Sequence, residues 1–269
     1  MTRPAATNDS QPTVVLDANV LFSQVLSDYF VQARSQRLVR LRWSRAIVDE
    51  MINRRKDRVA EKRIGPAERA HRLRAIDNLR GYIERTYPKE FIEPAEEHFA
   101  PFADLPMPDP DDRKVLATAV AASAQYLCTA NVGDFPDAVM DHVGIRRTTP
   151  DELLQRLVFD YPAEMVSAHQ TVIEWTRGAT HLTTLDTLGR AQAPGFKAAL
   201  EDILAPLGDL SSTDDLAAAY ASALAGRDRA HPELVPPSTR RPPSARPLER
   251  LAARPRARTR LEQQRGVGS

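Results

Sequence analysis

Apolar residues come first in short runs and later in helical stripes. Val14-Val15-Leu16 is a brief β-branched run ending at Asp17, as in a strand buried within a parallel sheet. Residues 21–36 read as a helix and 38–43 as a second short strand. Ser44 is a good N-cap. Behind it Ile47, Val48, Met51 and Ile52 make one buried stripe, with Glu50 at its edge. Pro66 opens another helix, whose apolar side carries Ala70, Leu73, Ile76 and Ile83. Phe91-Ile92 suggests a brief strand, and the proline-rich stretch 101–110 a loop. A helix over about 111–124, a strand at Tyr126-Leu127-Cys128-Thr129 and a last strand at 145–148 follow. A new helix begins at Pro150-Asp151-Glu152-Leu153.

Strands alternating with helices predict an α/β domain with a central parallel sheet, over residues 12–158. From 159 to 226 the pattern is helical only. Met165, Val166, His169, Val172, Ile173 and Trp175 mark one helix, Phe196, Leu200, Ile203 and Leu204 another, and 216–224 a third. This stretch reads as a helical C-terminal extension, either a separate module or a layer packed on the α/β domain. Residues 227–269 hold seven prolines and 11 arginines with few aliphatics. That composition cannot bury a core and predicts a disordered tail.

Charge sharpens the picture locally, not globally. The 37 Lys and Arg nearly cancel the 36 Asp and Glu. Residues 34–85 nevertheless hold 16 basic and 7 acidic side chains, a net +9, and 227–269 carry +7 from 11 arginines and 4 acids. The single cysteine, Cys128, excludes an internal disulfide framework. It lies in an apolar run and reads as a small buried hydrophobe rather than a nucleophile. There is no apolar stretch of the length that spans a bilayer and no signal-like N-terminus, so a cytoplasmic protein is expected.

The chemistry is carried by acids. Ligands of parallel α/β sheets bind beyond the carboxyl ends of the strands. Asp17 sits at such an end, as do Asn131 and Asp134 after the strand closing at Thr129. Asp112 lies three residues before Val115 and four before Leu116, so it continues a buried helical stripe in its first turn. An inward carboxylate is costly unless a cation meets it. Carboxylates without a His/Cys set favour Mg²⁺ or Mn²⁺ over zinc. Such a site suits in-line attack of water on a phosphodiester. Taken singly, each acid has a plainer role. Asp109 before Pro110 fits a helix cap as well as a metal site, Asp111 and Asp112 suit the helix dipole, and Glu50 suits a solvated face.

In order and context, these segments resemble the PIN-domain nuclease family, and within it the VapC-type toxins of bacterial toxin–antitoxin pairs. The matching stretches are Val14-Val15-Leu16-Asp17-Ala18-Asn19-Val20-Leu21, Trp43-Ser44-Arg45-Ala46-Ile47-Val48-Asp49-Glu50, Asp109-Pro110-Asp111-Asp112-Arg113-Lys114-Val115-Leu116-Ala117-Thr118-Ala119 and Leu127-Cys128-Thr129-Ala130-Asn131-Val132-Gly133-Asp134-Phe135-Pro136. The resemblance spans roughly residues 13 to 155. It implies a PIN-like three-layer fold of helices around a parallel sheet, and a Mg²⁺-dependent (or Mn²⁺-dependent) endoribonuclease. Carried over by position, the catalytic and metal-binding acids are Asp17, Glu50, Asp112 and Asp134. Asn19, Asp109, Thr129 and Asn131 fall at supporting positions. The resemblance also implies an RNA substrate and a cognate antitoxin protein, and it leaves a homodimer open. The basic stretch 34–85 is a candidate RNA face, with a solvated, ion-paired surface as its plain alternative.

Two rivals stand beside this reading. A haloacid-dehalogenase-like phosphohydrolase also places a nucleophilic Asp after a strand. It needs a second Asp two residues on as general acid, where this chain has Asn19. A catalytically silent PIN-like scaffold that binds RNA or protein has no physical need for converging acids.

Overall fold

The computed structural model describes residues 11–205 together with 216 and 219–221. Its sheet contains β1 (Thr13–Leu16), β2 (Arg40–Arg42), β3 (Tyr126–Cys128) and β4 (Arg146–Thr148). The strand order is β2-β1-β3-β4, and every pairing is parallel. Val14, Val15 and Leu16 are fully buried, as expected for a strand covered on both faces. The Phe91 strand reduces to a single parallel bridge with Trp43 beside β2. With helices packed around the sheet, the fold is the PIN-like α/β architecture.

The first predicted helix is two helices, α1 (Ala18–Phe22) and α2 (Gln24–Ser35). Ser23 takes an extended conformation between them. The break frees carbonyls that must find other donors. Ser27 Oγ donates to Leu21 O at 3.0 Å, and Arg55 Nη2 reaches Leu21 O at 3.1 Å and Phe22 O at 3.3 Å. No hydrophobic periodicity could reveal this break, because Val20, Leu21 and Leu26 keep an apolar stripe across it.

Next come α3 (Arg45–Ala60), capped by Ser44, and α4 (Pro66–Thr86), opened by its proline. The proline-rich connection is broken by 3-10 turns at Glu96–His98 and Ala100–Phe102. Then follow α5 (Asp112–Ala121), α6 (Asp137–Val143) and α7 (Pro150–Asp160). Thr149 and Glu152 form a capping box on α7.

The later helices are α8 (Pro162–Trp175), α9 (His181–Arg190) and α10 (Pro194–Leu204). The sequence pattern did not resolve α6 or α9. Met165, Ala168, Val172, Leu185, Leu188, Phe196 and Leu200 share one core cluster with the sheet residues. Asp151 on α7 accepts from the backbone of Gly195 at 3.1 Å and of Phe196 at 2.6 Å, satisfying donors at the start of α10. A Cβ at Gly195 would meet Asp151 Oδ2 at 3.1 Å, so glycine admits the close approach. Leu216 packs with Val166, Ile173 and Leu204 in a second, smaller cluster. Residues 216 and 219–221 are helical; 217–218 and 222–224 of the expected helix, and the tail at 227–269, lie outside the described residues.

Candidate functional site

The chain runs from β1 outward to β2, then returns across to β3 and β4 on the other side. The crevice therefore opens between the carboxyl ends of β1 and β3, where the strand order reverses. Asp17 leaves β1 there and caps α1, accepting from Ala18 N at 2.5 Å. Its other oxygen, Oδ2, accepts from Asn19 Nδ2 at 2.5 Å and from Thr129 Oγ1 at 2.7 Å. Asn19 Oδ1 in turn accepts from Ala130 N, and Thr129 Oγ1 from Asn131 N, each at 3.0 Å. Asn19 and Thr129 thus lash the end of β1 to the end of β3 and fix the Asp17 carboxylate. Asn131 contributes its backbone N–H to this arrangement.

Asp112 is the first residue of α5, which packs against β1, β3 and α3. Further along α5, the Thr118 and Ser44 hydroxyls are hydrogen-bonded at 3.0 Å and tie α5 to the cap of α3. Asp112 Oδ2 is buried and has no hydrogen-bond partner. Burial, then the negative charges of Asp17, Asp134, Asp109 and Glu50, push its carboxyl from 3.8 up to about 7. Those acids come from β1, from the 3-10 turn Val132–Asp134, from the loop before α5 and from α3. They share one electrostatic neighbourhood.

Asp17 is also raised, first by burial and further by Glu50. The Thr129 and Ala18 hydrogen bonds and the charge of Arg54 oppose that rise. Arg54 pairs with Glu50 at 2.8 Å. Asp109 does not cap α5. Its Oδ1 accepts from Asp111 N at 2.8 Å, closing a turn around Pro110, and Asp111 takes the cap position with its carboxylate on Lys114 rather than on the helix backbone.

Among the described residues, no three His, Cys, Asp or Glu side chains close tightly enough on one point to hold an ion as they stand. The donor set nevertheless fits a hard divalent cation. All of its candidate ligands are oxygen, one oxygen is buried without a partner, and the carboxylates repel one another. Arg54 on Glu50 supplies part of the missing positive charge.

A family model described as PIN domain matches the part of the chain that contains β1 to β3. Residues 13–133 match it. The match supports the PIN-domain nuclease family, whose members generally cut nucleic acid and typically use divalent metal ions. No curated protein and no solved structure gives a significant match. The PIN-matched segment contains Asp17, Asn19, Glu50, Asp109, Asp112, Thr129 and Asn131, and it stops one residue short of Asp134. No helix among the described residues is long and apolar enough to cross a membrane.

A second polar cluster escaped the sequence reading. Tyr29 Oη meets His169 Nδ1, and His169 Nε2 lies 2.8 Å from His181 Nδ1. His169 is wholly buried; burial and the neighbouring His181 lower its pKa to about 3. Burial raises the Tyr29 phenol and lowers His181. The neutral row joins α2 to α8 and α9, well away in sequence from the acids. In the sequence, His169 stood on an apolar helical face, where a core histidine is the ordinary expectation.

Proposed function

We propose that this chain is a Mg²⁺- or Mn²⁺-dependent endoribonuclease that hydrolyses RNA phosphodiester bonds at the crevice between β1 and β3. The observation that carries this reading is Asp112, whose buried, unpartnered oxygen faces a neighbourhood of four other acids. A folded chain tolerates such repulsion where a cation offsets it. Asp17, Glu50, Asp112 and Asp134 would hold the ion. When bound, a divalent cation there lowers the pKa of the attacking water and offsets charge on the leaving oxygen.

The chain's own residues do the positioning. Thr129, Asn19 and the Ala18 N–H fix the Asp17 carboxylate in one orientation. The Asp112 carboxyl, raised to about 7, still holds a proton over part of the neutral range, so ion binding there would release one. Asn19 uses its amide as a strut between strands. That role leaves no general acid for a phosphohydrolase of the aspartyl-phosphate type.

In this reading residues 12–158 are the nuclease domain, and 159–226 extend and brace it. The toxin assignment rests on the resemblance of the four motif segments to VapC-type toxins, and it brings a cognate antitoxin as partner. The decisive assay incubates purified protein with total RNA, with Mg²⁺, with Mn²⁺ and with chelator, and maps the cut ends. Metal-dependent internal cuts are expected. RNA left intact under every metal condition sinks the nuclease reading. Growth arrest on expression, relieved by a small protein encoded beside the gene, is the expected sign of the toxin role.

A further inference from the structure

We propose that the groove between α3 and α4 is a binding subsite for the single-stranded RNA that flanks the scissile phosphate. This rests on the nuclease reading of the crevice and adds a second site on the same chain. The groove has a volume of about 410 Å³ and is lined by Phe22, Arg58, Lys62, His71, Ile76 and Leu79, among others.

Two elements lead from the acids to this groove. Helix α1 starts at the Asp17 cap and ends at Phe22. On α3, Glu50 is followed at four-residue steps by Arg54 and Arg58, and Lys62 lies at the next step just past the helix end. Each such step rises about 6 Å along a helix, so α3 carries the chain from Glu50, paired with Arg54, to Arg58 and Lys62 at the groove.

The side chains fit an anionic, π-faced ligand. The Arg58 guanidinium lies over the half-buried Phe22 ring, 5.4 Å from its centroid. Neither Arg58 nor Lys62 has a carboxylate partner among the described residues. The one acid lining the groove, Glu68, is already paired with Arg72 at 2.6 Å. Arg55 is engaged with the backbone carbonyls of Leu21 and Phe22. Cations tracking a backbone beside an aromatic platform are what sequence-tolerant single-strand binding requires. An apolar helix from a protein partner would use Ile76 and Leu79 but would leave these cations unmatched.

The test uses the full chain carrying Asp17→Asn, so that the probe is not cut. Binding of a labelled single-stranded RNA oligonucleotide is titrated over a range of salt. Arg58→Gln with Lys62→Gln is expected to weaken binding and to flatten the slope of log K against log salt by about 1.4, two phosphate contacts at about 0.7 each. Phe22→Leu keeps the apolar packing and removes the π face. It is expected to lose about 5- to 100-fold in affinity with the slope unchanged. Thermal melts confirm that the variants fold.

Unchanged affinity and slope in the Gln pair overturn the subsite, and so do equal losses for double-stranded RNA. Metal-dependent cleavage by the wild type alongside unchanged binding by the groove variants would remove the groove and leave the nuclease. Loss of groove binding in a chain that never cuts RNA would do the reverse.

Discussion

Two of the buried polar clusters among the described residues are built on opposite terms. In the row Tyr29–His169–His181 each polar atom between the rings meets another. The row is satisfied with the Tyr29 hydroxyl donating to His169 Nδ1 and His169 Nε2–H to His181 Nδ1; the reverse order would leave the Tyr29 proton without an acceptor in the row. In the crevice, Asp17 is satisfied by Thr129, Asn19 and Ala18. Asp112 beside it is left with a buried orphan oxygen and like-charged neighbours. A buried polar network that closes on itself holds elements together. One that stays open, with more carboxylates than the single Arg54 can offset, is suited to receive a cation. The first cluster fastens the later helices to α2, and the second is where the proposed cleavage would take place.

The sharpest way to break this contrast is Asp17→Asn. Asparagine keeps the shape but loses the charge, so cleavage is expected to fall by at least about 100-fold, with Mn²⁺ binding by calorimetry weakened in parallel. Cleavage at the wild-type rate would show that the open cluster is not the site. Next in size is Thr129→Val, which removes one of the two side-chain donors to Asp17 Oδ2 and keeps the volume. Loss of an orienting partner of this kind costs about 10- to 100-fold in activity or metal affinity. A valine variant with full activity would reduce Thr129 to a strand-end filler.

The closed cluster should behave differently. His169→Phe strands the Tyr29 hydroxyl and His181 Nδ1 in the core. Each buried group left without a partner costs about 1–3 kcal/mol, so denaturant unfolding should shift to lower midpoint. Cleavage per folded molecule should be unchanged. A variant as stable as the wild type would show that the row is incidental to the packing of α8 and α9.

Sequence pattern captured what periodicity and end signals encode. β1 and β3, the Ser44 cap of α3, Pro66 at the head of α4 and the buried stripe of α5 all lie where hydrophobic spacing puts them. The break at Ser23 was hidden because the apolar stripe continues across it, while its carbonyls are satisfied from Arg55, far along the chain. Helix α9 was hidden among threonines, although Thr180 caps it through Thr183. In the site, position in the chain nominated Asp17, Glu50, Asp112 and Asp134. It could not show that Glu50 is held by Arg54 or that Asp109 closes a turn instead of capping α5. Those facts depend on side chains meeting in space, and so does the Tyr29–His169–His181 row.

The smallest expected effect separates the two clusters by pH. The Asp112 carboxyl is raised from 3.8 to about 7 in the folded chain. The folded state therefore holds a proton that the unfolded state has lost. The destabilisation is absent below about pH 4, grows through the interval and is full above about pH 7. Histidine 169 pulls the other way. Its lowered pKa, about 3, means that the unfolded chain takes up a proton first, so stability falls as pH drops below about 6.5. A plain pH profile of the wild type mixes the two. The difference between wild type and Asp112→Asn cancels the histidine contribution. In chelator, the asparagine variant is expected to melt a few °C higher at pH 8, with the gap closing by pH 4. The gain is modest because the carboxyl is only partly buried and solvent screens it. Added Mn²⁺ should narrow the gap at pH 8 by stabilising the wild type alone. A gap that is flat across pH, or one that Mn²⁺ leaves untouched, would mean that Asp112 is an ordinary first-turn acid of α5 and that the acids of the crevice do not act together.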